Sequence, residues 1–225
     1  MTEGELRQSI VNSVRRMNAL GINQGTSGNA SARLDATMLI TPSGMPYEAM
    51  SEADVVQVAL EDGTYTSRNG LKPSSEWRFH RDILVARDDI NAVVHTHGLA
   101  VTTLACLHQD IPAFHYMIAV AGGDSIRCAP YALFGTQELS DNALRAMEGR
   151  KACLLANHGM IAGGETLDKA LALAVEVETL ADQYWRCLQV TRPAVLSREQ
   201  MADVLEKFKT YGPVSYTHLR AHETV

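Results

Sequence analysis

No stretch of this sequence stays apolar for the roughly 20 residues that a helix needs to cross a bilayer. The N-terminus, Met1 to Gln8, is polar and carries two glutamates, unlike a secretion signal. A cytoplasmic location with no membrane partner is therefore the expectation. Basic excess is also missing: 20 Lys and Arg stand against 26 Asp and Glu, a formal charge of -6. Without a basic stripe to meet a phosphate backbone, nucleic acid is not an expected partner. Cysteine is scarce. Cys106, Cys128, Cys153 and Cys187 stand far apart and form no CxxC pair, so neither a zinc ribbon nor a redox motif is present. These thiols are expected to be reduced and mostly buried. Internal repeats, low-complexity tracts and linkers are absent too, and 225 residues with 46% hydrophobic content suit one domain with a sizeable core.

What is present alternates between helical and extended patterns. Leu6, Ile10, Val14, Met17 and Leu20 recur at helical spacing, and Gly21 follows where a C-cap belongs. The small polar stretch from Gly25 to Ser31 leads through Met38-Leu39-Ile40-Thr41 into Pro42-Ser43-Gly44, which predicts short strands joined by exposed turns. Pro73-Ser74-Ser75 opens a predicted helix from Glu76 to Ala86, and Asn91 to His95 reads as a buried strand ending on a histidine. Ala152 to Ala156 is a second apolar strand, ending in Asn157-His158-Gly159. A long helix from about Leu167 to Val190 and a shorter one from Arg198 to Lys209 follow. Mixed helices and strands predict an α/β layer fold built on one sheet. The last segment, Val214 to Thr224, resembles the translation of a transposon-based sequencing-library adapter. Residues 214–225, with His218 and His222, are accordingly set apart from a domain spanning 1–213. Recovery of the same codons from source DNA amplified without adapter chemistry would contradict that reading.

Three features carry chemistry. In His95-Thr96-His97, residues two apart in an extended segment point the same way and can offer two imidazoles to one metal ion. Alone, such a pair reads more readily as a structural or surface feature than as a metal site. His158 strengthens the metal reading, because it too closes an apolar strand, and three imidazoles suffice for a catalytic zinc site with one position open. Glu76 is the natural carboxylate to complete the shell or act as a base, although an acidic residue in a first helical turn also simply favours the helix dipole. His80, one turn further on, reads as structural. The loops Thr26-Ser27-Gly28-Asn29, Ser43-Gly44 and Ser74-Ser75 have the small, hydroxyl-bearing make-up of a phosphate cradle, and also that of ordinary turns.

Beyond these, ordered segments recur along the chain: NQGTSGN at 23 to 29, ITPSGMPYE at 40 to 48, PSSEWRFH at 73 to 80, AVVHTHG at 92 to 98, IPAFHYMIAVAGGDSI at 111 to 126, CAPYALFGT at 128 to 136, LLANHGMIA at 154 to 162 and VLEKFKTYG at 204 to 212. Together they resemble the class II aldolase and adducin-head family, and within it the aldolases of L-fuculose 1-phosphate, over about residues 5 to 213. The resemblance implies a three-layer α/β/α domain with a central, mainly antiparallel sheet. It implies a zinc ion on His95, His97 and His158, with Glu76 as fourth ligand and then base. It further implies a phosphate cradle from Thr26, Gly28, Asn29, Ser43, Gly44, Ser74 and Ser75. The expected assembly is a homotetramer with active sites between subunits, where Tyr116 is a proton donor lent by a neighbour and Tyr211 a C-terminal contributor. Phe134 and Phe208 would form the apolar wall around the aldehyde. The expected reaction is retro-aldol cleavage of L-fuculose 1-phosphate, or of a similar deoxypentulose 1-phosphate, to dihydroxyacetone phosphate and an aldehyde. Competing readings are a ribulose-5-phosphate 4-epimerase, a related phosphosugar lyase and an adducin-like interaction module without chemistry.

Overall fold

The computed structural model describes residues 1–210; Tyr211 and the segment 214–225 lie outside the described residues. Helix α1 (Glu3–Ala19) opens with a capping box in which Glu5 N–H donates to the Thr2 hydroxyl and Thr2 N–H to the Glu5 carboxylate. That box starts the helix three residues before the first apolar position used to predict it. Its face of Ile10, Val11, Val14 and Met17 is buried, and Gly21 at φ 72° ends it as expected.

The chain then runs β1 (Asn29–Leu34), β2 (Thr37–Ile40), β3 (Val56–Ala59), β4 (Tyr65–Thr66), α2 (Trp77–Ala86) and β5 (Ala92–Thr96). Helix α3 (Leu99–Cys106), β6 (Ile111–Pro112), a 3-10 turn at Tyr116–Ala121, β7 (Ser125–Ala129) and α4 (Gln137–Ala146) follow. The series ends with β8 (Ala152–Leu155), β9 (Gly159–Gly164), α5 (Leu167–Val190) and α6 (Arg198–Thr210). The strands form one nine-stranded sheet in the order β4-β3-β2-β1-β5-β9-β8-β7-β6. Every pairing is antiparallel except β7 with β8.

Strand alternation divides the interior into two cores. Val94, Leu154, Met160 and Ala162 pack with Val14 of α1, Val101 of α3 and Val177 of α5. Val93, Cys153, Leu155 and Ile161 pack with Phe79 and Ile83 of α2 and Leu139 of α4. The result is the expected α/β/α sandwich, each fully buried large side chain contributing about 1.5–3 kcal/mol of transfer free energy. No helix among the described residues is long and apolar enough to cross a membrane. The thiols correct one expectation: all four are free, but only Cys153 is buried, and Cys106 on the outer end of α3 is exposed.

Candidate active site

The central strands deliver the histidines. Antiparallel pairing of β5 with β9 sets Thr96 opposite Met160, so the end of β5 and the start of β9 lie side by side. His95 occupies the last part of β5, His97 the next outward position, and His158 the turn that enters β9. That turn is a tight one in which His158 N–H donates to the Leu155 carbonyl at 3.0 Å and Asn157 adopts φ 55°, a conformation Asn tolerates well. The strand spacing read from the sequence thus brings all three imidazoles together. One ligand atom from each lies within 4.8 Å of the others.

Their orientation suits a cation. His95 Nδ1–H donates to the Met160 carbonyl at 2.8 Å, and its Nε2 faces His97 Nε2 at 2.8 Å. A backbone carbonyl on the far ring nitrogen is the usual device for aiming a ligand imidazole. Glu76 approaches from the start of α2, with Oε2 3.2 Å from His95 Nε2 and Oε1 3.1 Å from His158 Nε2. Asn29 Nδ2 donates to Oε2 at 2.9 Å, whereas buried Oε1 has no aligned hydrogen bond. An orphaned carboxylate oxygen beside three converging imidazoles fits a divalent metal ion, because the ion would satisfy the lone pairs that now face one another.

Glu76 is the N-cap residue of α2, yet its side chain makes no cap hydrogen bond. The side chain thus does no capping, and its carboxylate contacts lie in the histidine cluster. Burial opposes its ionisation, but the imidazoles of His95 and His158 outweigh burial and hold its carboxyl far below the usual carboxylate range. Burial likewise opposes protonation of His95, and the Glu76 carboxylate overcomes it, so the His95 pKa is raised. His97 is pushed down to about 3 by burial and by His95 and His158. His80 also falls to about 3, through complete burial and the nearby His95.

A cavity of about 390 Å³ opens above these groups, lined by Thr26, Ser27, Ser75, Tyr131, Phe134 and Asn157 beside Glu76, His97 and His158. It matches the size range of small-ligand sites. No lysine lines it among the described residues. Thr26, Ser75 and Phe134 thus lie in one cavity beside His97 and His158. The 42–44 loop is tied in by the Pro42–Pro73 bridge and by Ser43 N–H donating to the Lys72 carbonyl at 3.0 Å, which sets Ser43 and Gly44 next to Ser74. Ser74 Oγ accepts from Glu76 N–H at 3.3 Å, and the Gly28 carbonyl accepts from the buried Tyr47 hydroxyl. Ser74 and Asn29 thus turn their side chains toward Glu76 rather than the cavity.

Two predicted residues lie elsewhere. Tyr116 and Phe208 line a separate, larger cavity of about 620 Å³ with Val120, Lys151 and Glu176, in which no cluster histidine takes part. Size alone would favour that cavity, but the chemistry lies in the smaller one. Within one chain, then, Tyr116 is not part of the histidine site. Sequence reasoning missed Tyr131 and Asn157 as lining residues; the CAPYALFGT and LLANHGMIA segments held the only signal for them.

Comparison with known proteins agrees with this geometry. A family model described as Class II Aldolase and Adducin N-terminal domain matches residues 8–185. A 5-methylthioribulose-1-phosphate/5-deoxyribulose-1-phosphate aldolase of Rhodospirillum rubrum is 57% identical over 207 residues, covering 92% of each chain. The L-fuculose phosphate aldolase of Escherichia coli is 51% identical over 213 residues, 94% of this chain and 98% of that one. A solved L-fuculose 1-phosphate aldolase superposes with a TM-score of 0.89 at 40% identity, covering 93% of this chain and 98% of the other. The chain belongs to the class II aldolase and adducin family and is an aldolase, a lyase whose three-histidine cluster can hold a metal ion.

Proposed function

We propose that the protein cleaves the C3–C4 bond of a ketose 1-phosphate to dihydroxyacetone phosphate and an aldehyde, with zinc on His95, His97 and His158. The observation that carries this reading is the convergence of three imidazoles and Glu76 beside a cavity that no lysine among the described residues lines. Covalent catalysis through a lysine imine has no residue to use there. Zinc is favoured over harder ions because imidazole dominates the donor set. Bound there, the ion supplies Lewis acidity toward the oxygens of the three-carbon fragment.

The chain's own groups supply binding and proton transfer. The phosphate lies against the Thr26 and Ser75 hydroxyls, with Gly28, Ser43 and Gly44 giving close backbone approach; Asn29 and Ser74 complete the cradle through the main chain. The C4 hydroxyl loses its proton, the C3–C4 bond breaks, and its electron pair passes to the three-carbon fragment. Cleavage thus takes one proton from the C4 oxygen and delivers one to C3; Glu76 delivers the second in its protonated form and, ionised as in the resting site, takes it from C3 in the aldol direction. Tyr116 serves the C4 oxygen from a neighbouring subunit of a homotetramer, since it does not reach the histidines of its own chain. Tyr211 is assigned a catalytic part from the C-terminal segment, and Phe134 and Phe208 lie against the aldehyde.

The aldehyde is what remains to be chosen, and relatives of both named kinds stand near this chain. Release of dihydroxyacetone phosphate, coupled to NADH oxidation, is to be measured on L-fuculose 1-phosphate, 5-deoxyribulose 1-phosphate and 5-methylthioribulose 1-phosphate. At least one is expected to turn over at about 1–1,000 per second, with the others separated from it by about tenfold or more. No release from any of them by metal-loaded protein would overturn the proposal.

A further inference from the structure

Glu76 is not held by the histidines alone. It sits four residues before His80, on one face of the turn that opens α2, while Asn29 and Ser31 alternate onto one face of β1. These two pairs close a buried circuit. Ser31 Oγ lies 2.7 Å from His80 Nδ1, His80 Nε2 meets Asn29 Oδ1, and Asn29 Nδ2 donates to Glu76 Oε2 at 2.9 Å. Relative exposure is 0% for Ser31 and His80, 3% for Asn29 and 5% for Glu76.

Only one proton arrangement satisfies the circuit. The Glu76 carboxylate can only accept, so the Asn29 amide must present its NH₂ to Glu76 and its oxygen to His80. That oxygen can only accept, so His80 carries its proton on Nε2. No carboxylate touches His80 to offset the cost of a buried charge, so the ring is neutral and Nδ1 accepts from the Ser31 hydroxyl. Every donor in the line points toward Glu76 Oε2. Oε1 stands outside the circuit, 3.1 Å from His158 Nε2 and without an aligned hydrogen bond.

We infer that Ser31, His80 and Asn29 are positioning residues that tether Glu76 Oε2 and thereby leave Oε1 as the oxygen that exchanges a proton with substrate. This inference rests on Glu76 being the proton-moving carboxylate of the proposed reaction. His80, which the sequence marks only as a structural histidine, acts through Asn29 and does not touch substrate. Half of its ring is held by stacking on Phe79, at a centroid distance of 4.7 Å, so the relay is fixed by packing as well as by hydrogen bonds.

The test uses the metal-loaded protein with His80→Leu, His80→Gln and Ser31→Ala, and also the metal-free protein for ¹⁵N spectra. His80→Leu is expected to lower kcat, and the rate of hydrogen-deuterium exchange at C3 of dihydroxyacetone phosphate, by about 10–100-fold. KM should stay within about threefold, because the cradle is untouched. His80→Gln can accept from Ser31 and donate to Asn29, and should recover activity to within about tenfold of the parent. A folded His80→Leu protein with kcat and exchange within about twofold of the parent overturns the inference, as does a Gln variant no better than Leu. Should the Leu variant fail to fold, Ser31→Ala decides: the His80 Nδ1 resonance should shift as it loses the hydroxyl's hydrogen bond, with Nε2–H kept by Asn29, and exchange should slow, whereas an unchanged spectrum and rate overturn the relay. If the parent itself releases no product, the proposed reaction falls on its own, and the parent's ¹⁵N spectrum still judges the circuit, which requires the Nε2–H form alone.

Discussion

His158→Ala is expected to lose bound metal and carbon-carbon cleavage together. His158 enters from the turn between β8 and β9, while His95 and His97 both come from the end of β5, so no side chain of the same turn can replace it. Two imidazoles and a movable carboxylate fall short of the three protein ligands that a catalytic zinc site uses. Lewis-acid stabilisation is worth several kcal/mol at the transition state, and each 1.36 kcal/mol is tenfold in rate, so kcat should fall by about a thousandfold or more. The side chain is 14% exposed in a surface turn, so thermal unfolding of the variant should stay close to that of the metal-free parent. Metal content per chain and kcat, measured on one preparation, check this. Metal-dependent turnover retained in the variant would defeat the ligand assignment.

Gly159→Ala should damage both the fold and the site. A Cβ at residue 159 would stand 2.5 Å from the Thr96 carbonyl oxygen and 2.7 Å from Cδ2 of His97. The first contact is backbone of the adjacent strand and cannot swing away; the second is a ligand ring. Relief requires β9 to move off β5, whose register with β9 sets the separation of the ligands. Overpacking of this kind costs about 2–3 kcal/mol, equivalent to roughly 5–10 °C in Tm for a chain of this length. Metal affinity should drop in the same protein. Gly4→Ala is the control, since residue 4 is exposed in α1 and a Cβ there meets nothing within 4 Å. That change should be neutral or stabilise by up to about 1 kcal/mol. Equal Tm values for the two variants would show that the close approach at residue 159 is not required.

Much of the site was legible because it sits where local pattern and chemistry coincide. The spacing of His95 and His97 follows from strand geometry, and both histidine segments end apolar runs that had to be buried strands. Glu76 was ambiguous from sequence, and only its unused capping position and its contacts with His95 and His158 decide between the two readings. Other parts left weaker traces. β9 contains three glycines in six residues, a composition that argues against a strand, yet it is central in the sheet because those glycines admit β5 and α5 at close range. α3 is apolar around most of its circumference and shows no helical period; it is helical because both α5 and the sheet pack on it. His80 gives no local sign of its partner Ser31, 49 residues away, since such a pairing exists only once β1 and α2 meet. Tyr116 and Phe208, placed near the aldehyde by resemblance, line another cavity within the chain, and their assigned roles require a second subunit.

The most direct test of the whole account is the metal dependence of product release. Chelator-stripped protein is to be titrated with Zn²⁺ while dihydroxyacetone phosphate release from the preferred ketose 1-phosphate is followed. Negligible release is expected without metal, then a rise that saturates at about one equivalent per chain, the capacity of a single three-histidine site. Release that proceeds unchanged in stripped protein would contradict it.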